Sequence, residues 1–508
     1  MFKSRYTKLW LMLAAQLGTP VLAQPITVNT RGTGPQPVVG VTNGVPIINI
    51  APPGTGGVSD NSFNQFNVGA GGVVLNNGIS DIQTQLAGQI AANPLLDGRP
   101  ASVILNRVAG STSMVRGPLE VAGQRANVIV ANPNGITCDG CGFFNVNRAT
   151  LTTGRPQVGP TDSITFDVGA GGASIKINGK GLNSADRYKA TLSQVDLIAK
   201  TILVNASVRA DHLNVVTGIN RVNYHSNHLT SRQSSDTPTR VAFDTAALGG
   251  MYANSIQLIS TERGAGVNLS GHVEALEGDL QIDSKGDINI GSGGVKAHRD
   301  ASILATGSTR IRGKITADND VHILAGWVVN GLATIAAGNL VRLNVTNAID
   351  NRRGSILGDS VEIVIGKPDV KSEAYSIHNE QGLIKANNLL NISADRIYNV
   401  DTRSKNMSRS SILGLVGNVV SIEGNPNTGW INNIAGSIVS GERLTVRIGE
   451  VTNAGGAISA HQLVNIKVGL FNNYFHRLAS GDLINKANTF GRLFAGERLL
   501  MEAISLKG

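Results

Sequence analysis

A pattern that returns about every twenty residues limits what this chain can fold into. The segments GGVKAHRDASILA (293–305), GKITADNDVHILA (313–325) and ATIAAGNLVRLNV (333–345) align without gaps. GLIKANNLLNISA (382–394), GSIVSGERLTVRI (436–448), GAISAHQLVNIKV (456–468) and GRLFAGERLLMEA (491–503) follow the same pattern, and GSILGDSVEIVIG (354–366) fits after a slip of one residue. Each unit reads small-x-apolar-x-small, then two or three polar residues, then apolar-x-apolar. That is two short alternating strands joined by a tight Gly/Asn/Asp turn. Alternation places Ile315, Val321 and Ile323 on one face and Lys314, Thr316 and His322 on the other. One unit has too little apolar surface to stand alone. Stacked units bury the inward row and pair their backbones with each other. The expected fold is therefore all-β: a right-handed parallel β-helix, a solenoid with coils of about 20 residues. Its hand follows from the general chirality of parallel crossovers. Coils spaced by about 4.8 Å would make the whole mature chain a rod on the order of 110 Å long. The structural competitor is an antiparallel sandwich. Long amphipathic helices are disfavoured by 61 glycines in 508 residues.

The N-terminus addresses the compartment. Lys3, Arg5 and Lys8 precede the apolar run LWLMLAAQL (9–17), which is too short for a stable membrane anchor, and VLA (21–23) supplies small residues. A signal peptide over 1–23 is expected, cleaved between Ala23 and Gln24. No later segment reaches the apolar length of a transmembrane helix. Without the three charges of the signal, the net charge of +9 falls to +6, spread thinly along the chain. The tightest basic run, RSKNMSRSS (403–411), is Ser-rich and lacks aromatics. It reads as a solvated loop, so no nucleic-acid partner is expected. The polar inserts at 225–240 and 401–414 interrupt the periodicity and read as loops leaving the coil surface.

Residues 24–290 lack the clean repeat but keep the β texture, and their motifs carry a resemblance. SFNQFNV (62–68) holds an F-x-x-F-x-V pattern in Phe63, Phe66 and Val68. NPLL follows at Asn93, Pro94, Leu95 and Leu96, then ASVILNRVAG, and NPNGI stands at Asn132, Pro133, Asn134, Gly135 and Ile136, followed by CDGCGF. In this order the segments resemble the secreted exoproteins of two-partner secretion, the filamentous haemagglutinin group. That family has an N-terminal secretion domain with a first NPNL and a second NPNGI motif, then haemagglutinin-type β-helix repeats. The second motif is complete here; the first departs from the pattern, with Leu95 in place of asparagine. The resemblance implies a secretion domain over 24–290, with capping and extra-helical hairpins, and a haemagglutinin-repeat β-helix over 291–508. It also implies recognition in the periplasm by a dedicated outer-membrane β-barrel transporter, folding outside the cell, and a Gram-negative surface or secreted location. The receptor, a protein or glycan on host or neighbouring cells, is not specified by the sequence. Because Gly508 directly follows a repeat, a truncated product is one expectation for so short a member.

Three chemistries compete for Cys138 and Cys141, the only cysteines. A thioredoxin-like site needs a βαβ context that the flanking turn and strand do not offer. A zinc site needs two more ligands, for which only His225 and His228 present a pair. A local disulfide suits an oxidising compartment and would pin the turn beside it. Asn132 to Gly135 form a turn on backbone grounds alone, since Pro133 fixes φ, Asn134 tolerates the left-handed region and Gly135 adopts it freely. The resemblance adds a role as secretion determinant. A carbohydrate-active β-helix enzyme is the alternative class, but its converging carboxylates are missing: Asp318 and Asp320 share one turn and the other acids are scattered. No cofactor, metal or catalytic residue is expected. The reading is a non-enzymatic secreted adhesin. The delivery arm of a contact-dependent growth-inhibition toxin and a cytolysin of the same export class are its alternatives.

Overall fold

The computed structural model describes residues 26–507 except 32–33, 170, 172, 184–191, 232–239, 367–375, 402–413 and 475–491. The Ala23–Gln24 junction and the basic run at 403–411 lie outside the described residues. Within them every regular element is a strand, and most strands belong to one continuous, parallel-dominated sheet. The chain winds as a solenoid, as its alternation and period require.

Each coil has three walls. Wall 1 begins with Val58–Gln65, Val103–Val108, Ala126–Ala131 and Val146–Thr152, each parallel to the next. In the repeats it continues through Leu280–Ser284 and Ala301–Ala305. Wall 2 runs through Ser113–Val115, Ile136–Cys138, Ser174–Ile177 and Thr201–Val204, and later through Ile288–Ile290 and Ser308–Ile311. Wall 3 runs through His272–Ala275, Val295–Ala297, Lys314–Ala317 and Thr334–Ala337. The repeat of the sequence corresponds to walls 3 and 1. Wall 2 is a third strand that the two-strand unit did not contain.

Registration stacks like on like. On wall 1 the column Leu280, Ala301, Val321, Val341, Val361 faces inward, and beside it Ile282, Ile303, Ile323, Leu343, Ile363. On wall 3 Met251, Val273, Val295, Ile315, Ile335, Ile356 and Ile384 form another. All are buried and belong to one hydrophobic cluster running the length of the solenoid. Burying each such side chain contributes about 1.5–3 kcal/mol before ordering costs.

One inward column is polar. At the corner from wall 2 to wall 3, Asn330, Asn351, Asn379, Asn399, Asn433 and Asn453 are fully buried, and Asn473 follows in the next coil. Each Nδ2 donates to Oδ1 of the next rung, over 2.8, 2.7, 2.9, 2.7, 2.8 and 3.0 Å. The second proton of the amide reaches a backbone carbonyl, as from Asn399 to Ser437 at 3.0 Å. The ladder has a direction and a first rung. Asn330 Oδ1 has no hydrogen-bond partner, because the coil beneath it carries apolar Ile311 at this position, as the one before carries Ile290.

The N-terminal coils are wrapped by excursions. Thr27–Val28 lies antiparallel to Val58–Gln65 and closes the end of the stack. A five-stranded sheet, led by the hairpin Val38–Thr42 and Val45–Asn49, forms the third side of the first coils and is overlaid by Ile82–Thr84 and Gly88–Ile90. A four-stranded antiparallel sheet, Arg155–Val158, Ile164–Asp167, Asn220–Asn223 and Leu229–Ser231, covers the outside of wall 1 over a second apolar core. Two arginines fasten it. Arg107 pairs with Asp60 and donates to Pro156 O, both at 2.6 Å. Arg148 pairs with the buried Asp196 at 2.6 Å, donates to Tyr224 O at 2.8 Å, and lies over the Tyr224 ring. Thr150 and Gln194 also donate to Asp196, so that buried charge is fully served. These excursions shorten the rod. Seventeen rungs on wall 1 at about 4.8 Å give roughly 80 Å rather than 110 Å.

Replacing Asn399 with alanine would leave a buried amide of Asn379 and the carbonyl oxygen of Asn433 each short of a partner. Asn399→Ala is expected to lower stability by about 2–4 kcal/mol, read as a drop in urea midpoint. An unchanged midpoint would show that the ladder is incidental.

Candidate functional site

Asn132 to Gly135 form the corner between wall 1 and wall 2 in the third coil. The wall 1 strand ends at Ala131, and Ile136–Cys138 opens wall 2. Gly135 N donates to Asn132 O at 3.0 Å, and Asn134 N donates to Asn132 Oδ1 at 2.9 Å. The asparagine side chain thus doubles the backbone turn. Gly135 has φ +106°, a conformation that a side chain would strain.

The corner is stitched to the coil before it. Asn132, fully buried, donates from Nδ2 to Ser111 O and Ser113 Oγ, both at 2.9 Å. Asn134 is exposed, yet its Nδ2 donates to Ala109 O at 3.2 Å and to Gly110 O. Thr112 Oγ1 donates to Asn134 O at 2.7 Å, and Ser113 N to Gly135 O at 3.0 Å. Toward the next coil, Asn132 N donates to Thr152 O. Pro133 is half-exposed and lines a shallow cleft with Thr153, Arg155, Asp167 and the loop at Gly169 and Gly171. Ile136 is fully buried and heads the wall 2 column Ile136, Ile175, Ile202.

The degenerate first motif makes the same turn. Leu95 N donates to Asn93 Oδ1 at 3.0 Å and Leu96 N to Asn93 O at 3.3 Å. Asn93 Nδ2 donates to Ile50 O and Asn76 O, as Asn132 does to its neighbours. The turn uses the backbone of residue 95 and the side chain of residue 93, so leucine is compatible with it. What leucine omits is the outward amide that Asn134 supplies. Pro94 is exposed and Leu96 is core. Phe63 and Phe66 are also core, packed edge to face at 5.2 Å, and Val68 pairs with Val115.

Cys138 and Cys141 are joined to each other, with Cα atoms 5.5 Å apart, and both are buried. Their bridge spans the next corner, from wall 2 to wall 3. Cys138 stacks on Ile177 in wall 2, whereas Cys141 pairs with Leu182, which pairs with Val208 at the start of the later wall 3 column. Directly after Cys141, Gly142–Phe144 forms the edge of the five-stranded sheet. The disulfide therefore sits at the seam where one third wall hands over to the other. His225 and His228 are exposed in the loop beyond the four-stranded sheet. Among the described residues no three metal-ligating side chains converge, and Asp318 and Asp320 are engaged separately with His298 and His322. Sequence reasoning missed the anchoring partners Ser111, Thr112 and Ser113, which carry no motif of their own.

Residues 23–290 match the model of the TPS secretion domain family. The chain belongs to that family. It is 38% identical over 388 residues to the "tRNA nuclease CdiA" of Yersinia mollaretii, covering 72% of this chain and 12% of that protein. Against the "16S rRNA endonuclease CdiA" of Enterobacter cloacae the identity is 32% over 488 residues, covering 91% of this chain and 14% of that protein. The chain thus spans only about an eighth of the length of these relatives. Among solved structures, the filamentous hemagglutinin secretion domain is 27% identical, with a TM-score of 0.44, over 68% of this chain and 96% of that one. The NPNGI corner and the disulfide both lie inside the matched secretion domain.

Burial separates the two asparagines. Asn132→Ala should cost about 2–3 kcal/mol of folding stability, whereas Asn134→Ala should cost no more than about 1 kcal/mol. Urea denaturation of the two variants checks the order. Equal losses would mean that the exposed amide anchors the corner as firmly as the buried one.

Proposed function

We propose that the chain is exported across a Gram-negative outer membrane by a dedicated β-barrel partner that recognises its secretion domain, and that the β-helix stalk then serves, without enzymatic activity, in adhesion at the cell surface. The observation that carries this reading is the family match over 23–290, with the complete NPNGI turn inside it. The same match supports a secretion domain that ends near residue 290, with the repeat β-helix after it. A mechanical role is supported by the lumen, which among the described residues is filled by stacked apolar side chains.

Asn132, Pro133, Asn134, Gly135 and Ile136 are the proposed secretion determinant, with Asn93, Pro94, Leu95 and Leu96 as its degenerate partner. A partner that meets the chain before it folds would find Asn134 and Pro133 free of the corner. One that meets the folded domain would find Pro133 and the exposed Asn134 on its surface.

A second reading is favoured by the relatives named CdiA. In it the same rod is the delivery arm of a contact-dependent growth-inhibition toxin, and the nuclease named in those relatives belongs to portions that this chain does not match. A cognate immunity gene beside the locus would support the arm over the adhesin.

Co-expression with and without a two-partner outer-membrane transporter, followed by immunoblotting of medium and periplasm, tests the export reading. Export should depend on the transporter and fall several-fold in Asn132→Ala/Asn134→Ala, while Cys138→Ser/Cys141→Ser should still be exported but unfold at lower urea. Undiminished extracellular protein in the double asparagine variant would remove the motif from the recognition step.

A further inference from the structure

A small hairpin lies across the outside of the third side of the first coils. Ile82–Thr84 and Gly88–Ile90 pair antiparallel, and among the described residues they join no other sheet. The hairpin crosses three rungs instead of extending one. Its Ile82, Leu86, Ala87 and Ile90 pack on Val45 and Ile47 of the first rung, Val74 of the second and Ala122 of the third. Those rungs are register-paired, Ile47 to Val74 to Glu120 and Asn49 to Asn76 to Ala122. At the root, Asn93 N donates to Gly78 O at 2.8 Å and Asn76 Nδ2 to Ala91 O at 3.0 Å.

Glu120 holds the tip. Its outward column runs Ile47, Val74, Glu120, Phe144, so packing alone would call for an apolar residue there. The column holds instead a carboxylate that is only 5% exposed. Its Oε1 accepts from Gln85 N at 2.7 Å and its Oε2 from Leu86 N at 2.9 Å. Asn43, in the turn of the first hairpin, donates from Nδ2 to Ala87 O at 2.8 Å. A carboxylate leaves water readily only where such charge-assisted donors are in place. The tip therefore closes over Glu120 with both bonds made, or stays off the sheet.

We propose that residues 79–92 are a clasp that closes only on a correctly registered third side. Leu86 and the carboxylate it donates to are 34 residues apart in the chain. Glu120 reaches the tip only once Pro118–Gly123 has stacked on Val73–Asn77. A slip of one residue would turn Glu120 toward the lumen and present Leu119 or Val121 outward, leaving the two N–H groups of the tip without an acceptor. Closed, the clasp couples three rungs that a solenoid otherwise joins only to their immediate neighbours, so the first coils open and close together. The clasp is independent of the export reading, and its test needs no transporter.

Hydrogen exchange of the purified full chain, read by mass spectrometry, tests the clasp. Residues 82–90 should be protected in the native state. Glu120→Ala should reduce that protection by about tenfold or more, carry 45–49 and 73–77 down with it, and leave 280–345 unchanged. In pulse labelling during refolding from urea, 82–90 should become protected together with 118–123 or later. Protection of 82–90 ahead of 118–123, protection indifferent to Glu120, unchanged protection of 45–49 and 73–77, or a loss spread evenly to 280–345 would each overturn the inference. If Glu120→Ala does not refold, Glu120→Gln, which keeps the shape and removes one acceptor oxygen, takes its place under the same criteria.

Discussion

Everything in this molecule depends on parallel, in-register pairing between one coil and the next. Once Leu280 is opposite Ala301 and Val321, every other residue of those coils has its partner fixed as well. A lumen built this way is a set of columns, and each column must be chemically uniform or change character at a definite coil. Aliphatic columns satisfy the requirement through contact alone. The asparagine column satisfies it by hydrogen bonding, because each amide has one acceptor and two donor protons and can serve the rungs on both sides. The switch between the two regimes is abrupt, at Ile311 below and Asn330 above, and leaves one carbonyl oxygen unserved.

Stacking alone does not tell a solenoid where to begin, and the N-terminal region answers that with additions to the coil. Thr27–Val28 closes the open edge of the first wall 1 strand. Two insertions, at 153–173 and 218–240, leave from the same wall 1 to wall 2 corner two coils apart and join as the four-stranded sheet. The NPNG turn occupies that same corner one coil before the first insertion, without an insertion of its own, and holds it tight through Asn132. The disulfide then fixes the following corner, at the seam between the two parts of the third wall. The two halves of the stretch that joins the motif to CDGC thus secure consecutive bends of a single coil.

The repeat made the β-helix legible because walls 3 and 1 alternate apolar and polar residues with period two. Wall 2 escaped notice for a physical reason. In the repeats it is short, and from Asn330 onward its last inward position is asparagine, so apolar alternation registers only one residue there, such as Ile349 before Asn351. The signal that would have found it is N-x-x-G, in Asn351 to Gly354, Asn379 to Gly382, Asn433 to Gly436 and Asn453 to Gly456. The first motif was legible as a turn only through its asparagine. That leucine fits at residue 95 follows from which atoms bond, a question of coordinates. Likewise the cysteine spacing indicated a local bridge, but its place inside the core, between walls, depends on Leu182, far along the chain.

The direction of the ladder bears on how such a rod can form. Each rung's amide donates forward, toward the C-terminus, so a coil added last leaves a buried donor waiting until its successor arrives. Burying an unserved amide costs about 1–3 kcal/mol, and the next coil removes that cost while burying its own aliphatic row. Growth from the N-terminal end therefore offsets at each step the penalty left by the step before. Retreat has the opposite effect, exposing apolar columns and breaking amide bonds together. Because the one disulfide among the described residues joins residues three apart, no long covalent loop opposes an end-first path. For a chain that emerges through a narrow barrel, this coil-by-coil asymmetry supplies a forward bias from packing alone.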